Sequence, residues 1–347
     1  MGQDGSMALK RKVGTKMELI CEKLTNKNGM EVTLLNLGAA IISVSVPGPD
    51  GSRADLVLGY GKAEDYMEDR LYFGSTPGRF ANRIGGARFS LNGTEHVLTA
   101  NEGRNQLHGG ATGFAKKIWE TERDGGRVTF TYRSPDGENG YPGNLTTCAA
   151  YSLNDENELL IEYTAESDAD TVINLTNHSY FNLGGGADTI LDHMLSVNAD
   201  SFIVTDRENI PTGEIRDTAG GALDFSEPKT IGDAVSSNEE AVTNVNGVDS
   251  CFSLRGEGLR SAAVLSDPVT GRTLEVLTDL PGIQAYTSQG IPEGTKGRDG
   301  IAYGPYSGIC LEAQHFPDAP NQPGFPSAVL EKGTVFRATI VFRFKAI

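Results

Sequence analysis

The segment Val128-Thr129-Phe130-Thr131-Tyr132 places an apolar or aromatic side chain at every second position, with hydroxyls between. Successive side chains of an extended chain point to opposite faces, so this period of two predicts a strand with one face in a core and the other towards water. The same beat returns where Ile161, Tyr163 and Ala165 alternate with Glu162, Thr164 and Glu166. Further strands are expected at 41–46, 274–277 and 335–344. Arg88-Phe89-Ser90-Leu91, then Asn92-Gly93, then 94–98 reads as a hairpin, because Asn-Gly supplies the positive φ angles of a type I′ turn. Only 62–70 carries a helical pattern, and it is short. The 43 glycines punctuate short alternating segments, and no repeat, low-complexity block or linker interrupts them. The expected fold is therefore all-β, a large antiparallel β-sandwich with long connecting loops, formed as one domain over residues 7–347. Residues 1–6, followed by a second methionine at Met7, read as a cloning remnant.

The 46 acidic side chains outnumber 30 lysines and arginines, for a net charge of -16. Such a balance repels phosphate backbones and anionic headgroups, which argues against nucleic-acid and membrane-surface partners. No apolar stretch is long enough to span a bilayer, and Lys10-Arg11-Lys12 is not followed by the apolar core of a signal peptide. The four cysteines, Cys21, Cys148, Cys251 and Cys310, are scattered without a CxxC pair, the usage of small buried hydrophobes in a reducing compartment. A cytoplasmic protein is expected.

On a sandwich, function is expected on loops held by the rigid scaffold. Near the C-terminus the apolar run Ile309-Cys310-Leu311 delivers Glu312 where a strand is expected to give way to a loop set by Pro317, Pro320 and Pro323. A carboxylate partly buried there must find partners or shift its pKa, which makes Glu312 a candidate base. Three connections could supply its company. In the first, glycines flank the pair Asn82-Arg83, an amide and a planar cation able to grip ring oxygens or hydroxyls; the same arginine could instead pair a carboxylate. In the second, His108 stands between Leu107 and two glycines, where backbone can come close to a ligand. The third, Asn174-Leu175-Thr176-Asn177-His178-Ser179-Tyr180-Phe181-Asn182-Leu183-Gly184-Gly185-Gly186, mixes amides, hydroxyls, an imidazole and aromatics. That mixture suits a polyhydroxylated ligand with apolar ring faces, or a hydrogen-bonded turn network.

Six segments taken together resemble the aldose 1-epimerases, the galactose mutarotases. They are Gly78-Arg79-Phe80-Ala81-Asn82-Arg83-Ile84, Leu107-His108-Gly109-Gly110, Gly140-Tyr141-Pro142-Gly143, the third connection just quoted as far as Leu183, Pro281-Gly282-Ile283-Gln284-Ala285-Tyr286-Thr287 and Cys310-Leu311-Glu312-Ala313-Gln314-His315-Phe316-Pro317-Asp318. They occur in the family's order and cover most of the chain. The resemblance implies a galactose-mutarotase-like sandwich with an open sugar cleft, no cofactor and no metal. It implies Glu312 as general base and His178 as general acid, with His108 and Arg83 steadying the ring-opening centre. Asn82 and Gln284 match sugar contacts, and Tyr180 is grouped with them beside His178. Asp249 matches an aspartate that binds sugar hydroxyls, although Ser250 stands where the family pattern leads one to expect a histidine.

The implied reaction explains the residue types. Interconverting the α and β anomers of a free hexose such as galactose or glucose requires a proton to leave the C1 hydroxyl while the ring oxygen gains one. An acid and a base must therefore act together. At ordinary pKa values the rate would rise as Glu312 ionises and fall as His178 loses its proton. Two other readings of the same cleft remain. A hexose-6-phosphate epimerase would need cations near C6, and no basic cluster accompanies these motifs. A noncatalytic sugar binder would need no acid-base pair.

Overall fold

Both alternating segments extend into long strands, Arg127–Ser134 and Glu158–Ser167, in the computed structural model of the chain, which describes residues 18–47 and 53–345. Val128, Phe130, Ile161 and Tyr163 are buried, while the intervening threonines and glutamates are not. These strands belong to a nine-stranded sheet whose centre is formed by Arg260–Ser266, Thr273–Thr278, Val335–Lys345, Glu158–Ser167 and Leu145–Leu153, in that order. Every pairing in it is antiparallel, with Tyr163 opposite Ala338 and Ile161 opposite Ile340. The anticipated strands at 274–277 and 335–344 both lie here.

The opposite layer is made of two sheets. Cys21–Thr25, Glu31–Leu35, Ala40–Pro47 and Arg53–Asp55 form a four-stranded sheet. The other has six strands in the order Tyr180–Phe181, Ile309–Gln314, Gly282–Tyr286, Asp249–Leu254, Ala199–Thr205 and Pro211–Asp217. Leu24, Val32 and Ile41 from the former, with Ile283, Leu311 and Phe252 from the latter, join Phe130, Ile161 and Phe342 of the nine-stranded sheet in one core. Phe181 packs edge-on against Phe342 across the layers at 5.0 Å between ring centroids, an arrangement favoured by the ring quadrupoles. The sandwich is the expected one. The boundary at residue 7 and the remnant at 1–6 lie outside the described residues.

The hairpin forms as read: Leu91 pairs with Thr94 across Asn92 and Gly93, whose φ angles are +50° and +77°. It stands as a separate two-stranded ribbon rather than in a main sheet. The helix expected at 62–70 is instead a 3-10 turn, Ala63–Glu68, without a side-chain cap. Asp69 stops it: its carboxylate accepts hydrogen bonds from the Leu71 and Phe73 amides, turning the backbone away from helical pairing. Two short α-helices, Ile231–Val235 and Glu240–Thr243, were not anticipated; Thr230 caps the first by accepting from the Asp233 amide. The cysteines are not uniformly core residues either: Cys251 and Cys310 are buried, Cys148 is half-buried and Cys21, on the first strand, is exposed.

Arg79 fastens its own loop to the loops and strand end at one edge of the nine-stranded sheet. It is 1% exposed, and its guanidinium donates to the carbonyls of Pro142 (2.7 Å) and Gly143 (3.1 Å), to Thr171 Oγ1 (3.2 Å) and to Ser134 Oγ (2.6 Å). Removing it strands several buried acceptors, so Arg79→Ala should cost about 3–5 kcal/mol in urea denaturation. A loss below 1 kcal/mol would mean that the loop network holds without it.

Candidate active site

Strand Ile309–Gln314 is buried at all six positions, yet its alternation still operates. Ile309, Leu311 and Ala313 enter the core, and Cys310, Glu312 and Gln314 therefore face the other side of the sheet. Glu312 is thus inside a strand, not at the strand-to-loop junction expected from the prolines, and it is 2% exposed rather than partly buried. Register then places its company. Gln284 lies directly opposite Glu312, Cys251 opposite Gln284, and Tyr286 opposite both Cys310 and Asp249. Half of the site is accordingly carried by the sheet itself and only half by loops.

The loop half is assembled by backbone pairing. Arg83–Ile84 and Gln106–Leu107 form a two-stranded ladder, with Arg83 opposite Leu107. His108 N–H donates to the Asn82 carbonyl (3.0 Å), and the Asn82 amide donates to His108 Nδ1 (3.1 Å). With Nδ1 as acceptor, the proton of neutral His108 sits on Nε2, available as a donor in the cleft. The close approach requires glycine next door: a Cβ on Gly109, at φ +80°, would lie 1.8 Å from the Gly78 carbonyl oxygen. His178 is held by its own backbone, donating to the Ser75 carbonyl (2.9 Å) and accepting from Gly74 N–H (3.0 Å).

All eight residues singled out in the sequence, Asn82, Arg83, His108, His178, Tyr180, Asp249, Gln284 and Glu312, line one cleft of about 230 Å³. That is less than the roughly 300–1,000 Å³ of pockets for drug-sized ligands, a scale that suits one sugar ring. Glu312 Oε1 is 3.8 Å from His178 Nε2, while Glu312 Oε2 is buried without a partner. Gln284 donates to Asp249 Oδ1 at 2.6 Å. Arg83 forms a bidentate pair with Glu102, at 2.6 and 2.9 Å, so both roles weighed for it are present together: it pairs a carboxylate and it lines the cleft. The polar stretch around His178 is likewise divided. Asn174, Asn177 and Asn182 are bound to backbone groups of the surrounding loops, and only His178 and Tyr180 of that stretch reach the cleft. The Tyr180 hydroxyl donates to the Leu71 carbonyl (2.9 Å) while its ring packs 5.0 Å from that of His178.

Burial dominates the electrostatics. It pushes the Glu312 carboxyl well above the ordinary carboxylate range, reinforced by Asp249 and opposed by Arg83. It raises Asp249 too, against the pull of Arg83 and the bond from Gln284. It pushes His178 down to about 4, and His108 well below the usual histidine range with help from His178 and Arg83.

Arg70, Leu71, Tyr72, Glu102, Leu107 and Tyr286 also line the cleft and were not singled out. Tyr286 was within reach of pattern reading, since it lies two residues along the strand from Gln284 and so shares its face. Tyr72, with its ring 4.6 Å from that of His108 and φ at +60°, carries no such signal, nor does Glu102.

The sequence profile of the family described as aldose 1-epimerase matches residues 21–343. The galactose mutarotase of Bos taurus is 41% identical over 317 residues, 91% of each chain. The aldose 1-epimerase of Escherichia coli K12 is 34% identical over 328 residues, 93% of this chain and 94% of that one. Among solved structures, an aldose epimerase homologue from C. elegans superposes with a TM-score of 0.89 at 30% identity, covering 95% of this chain and all of the other.

Proposed function

This chain belongs to the aldose 1-epimerase family, and from that premise we propose that Glu312 and His178 are the base and acid with which it opens the sugar ring. The protein is an isomerase that interconverts the α and β anomers of aldoses. The observation that carries the assignment is the 3.8 Å separation of Glu312 Oε1 and His178 Nε2. The C1 hydroxyl and the ring oxygen are bonded to the same carbon, so a base for one and an acid for the other must lie side by side. Glu312 takes the hydroxyl proton as His178 protonates the ring oxygen, and the C1–O5 bond breaks to leave an aldehyde. Rotation about C1–C2 presents the other face. Reclosure then returns both protons, His178 accepting the one on O5 and Glu312 giving one to the new C1 hydroxyl.

His108 and Arg83 supply fixed donors at the same wall, in a buried setting where donors are worth more than in water. Asn82, Asp249 and Gln284 hold hydroxyls that do not change during the reaction, as a site accepting both anomers needs. Tyr180 positions the His178 ring. Free hexoses, galactose and glucose among them, are the substrates in this reading. Arg70 in the cleft wall is the observation that favours a phosphorylated hexose, but the other arginine of the wall, Arg83, is already paired with Glu102.

One domain is supported by the shared core of the two layers. The cytoplasm is supported by the four unpaired thiols, and no helix among the described residues is long and apolar enough to cross a membrane. Polarimetry with fresh α-D-galactose, α-D-glucose and glucose 6-phosphate tests the substrate reading. The expected result is faster approach to equilibrium with the free sugars; acceleration confined to the phosphate would overturn it.

A further inference from the structure

We propose that Glu312, His178 and Cys310 form a three-ligand site for a thiophilic divalent cation, with zinc as the type case. A carboxylate oxygen, a ring nitrogen and the thiol sulfur of these residues lie within 4.8 Å of one another, all buried. Zinc holds sulfur at about 2.3 Å and nitrogen or oxygen at about 2.0 Å, so tetrahedral donors stand roughly 3.3–3.7 Å apart. The Cys310 Sγ to His178 Nδ1 distance, 3.5 Å, already fits that edge. Glu312 Oε1 lies 3.8 Å from the other ring nitrogen, Nε2, so an ion held at Nδ1 requires the carboxylate to turn towards Cys310; Oε2, buried and unpartnered, can do so without losing a bond. An oxygen, a nitrogen and a sulfur together favour zinc or cobalt over calcium or magnesium, which take oxygen donors. On binding, two protons leave to solvent: the thiol proton of Cys310, which ligates as thiolate, and the single proton held by the Glu312 and His178 pair, which ligate as carboxylate and neutral imidazole. The fourth position is left for water or a sugar hydroxyl.

The consequence for turnover rests on the roles proposed above for Glu312 and His178. A bound cation occupies the base and a ring nitrogen of the acid, so it should inhibit in competition with the sugar. By mass action the rate at low sugar should fall about tenfold when zinc is ten times its dissociation constant.

The test uses the full chain freed of metal with EDTA. Cobalt(II) chloride should bind one per chain with a near-ultraviolet thiolate-to-cobalt band, and zinc chloride should displace it and inhibit polarimetric turnover, reversibly with EDTA. Cys310→Ser should lose the band and weaken zinc inhibition at least about tenfold relative to its own metal-free rate. Cys21→Ser, which removes the exposed thiol, should keep both. Absence of the band, or a band and inhibition that survive in Cys310→Ser, would overturn the site. A band that Cys310→Ser abolishes, with turnover untouched by zinc, would support the metal site while overturning the acid-base roles of Glu312 and His178.

Discussion

Glu312→Gln is expected to lower kcat by roughly 10²–10⁴-fold, the usual contribution of a positioned acid-base group, with KM changed only a few-fold. The amide keeps the shape of the carboxyl and can still bond a hydroxyl, but it cannot take the C1 proton. Blank-corrected polarimetry measures this directly, and a variant within a few-fold of wild type would remove Glu312 from the chemistry. The same change should stabilise the fold. Burial raises the Glu312 pKa, so the folded chain keeps a proton that the unfolded chain has released above the ordinary carboxylate range. Unfolding then releases a proton, and this contribution, fully present in acid, is lost as pH rises towards the folded value. Glutamine carries no such dependence. The melting temperature of Glu312→Gln should therefore exceed wild type by about 1–3 °C at pH 8 and by less at pH 5. A wild type that melts higher at pH 8 would show a carboxylate better satisfied than its unpartnered Oε2 indicates.

What was legible from sequence was what local chemistry settles. Asn92-Gly93 dictates its own turn, and the alternation at 128–132 fixes which side chains enter the core. Where that hairpin lies relative to the sheets is decided by packing far along the chain, and no local pattern carries it. The site divides in the same way. The eight residues taken from motif order line one cleft, but Glu312 lies inside its strand rather than at the end, because Pro317 acts only after the strand has run on to Gln314. Opposition of Gln284 to Glu312, and of Asp249 to Tyr286, depends on register between strands distant in sequence. Glu102 became part of the site only through Arg83, and Tyr72 through its contact with His108. Both are consequences of tertiary structure, with no periodicity to betray them.

The expected result for His178→Asn is a kcat lowered by about 10²–10³-fold and a pH profile that changes sign on its alkaline side. Burial pushes His178 down to about 4 and Glu312 well up, so over the range between them the pair holds a single proton. That proton can sit on Glu312, beside neutral imidazole, or on His178, beside carboxylate. The second arrangement is the one that opens the ring. The two forms have the same proton count, so pH does not alter their ratio and the wild-type rate should be level across the window. It should fall in acid as the pair takes a second proton, and in alkali as it loses its only one, the limbs reporting macroscopic values of the pair. This reverses the assignment expected from ordinary pKa values: the acid limb follows His178 and the alkaline limb Glu312. With asparagine at 178, only the carboxyl remains, and it works as a base when ionised. Residual kcat/KM should then rise through the alkaline region where the wild type falls, in metal-free buffer and after correction for spontaneous mutarotation. If His178→Asn keeps the wild-type alkaline decline, another group supplies the ring-oxygen proton. His108, whose Nε2–H is fixed in the cleft by the Asn82 amide at Nδ1, would take that role.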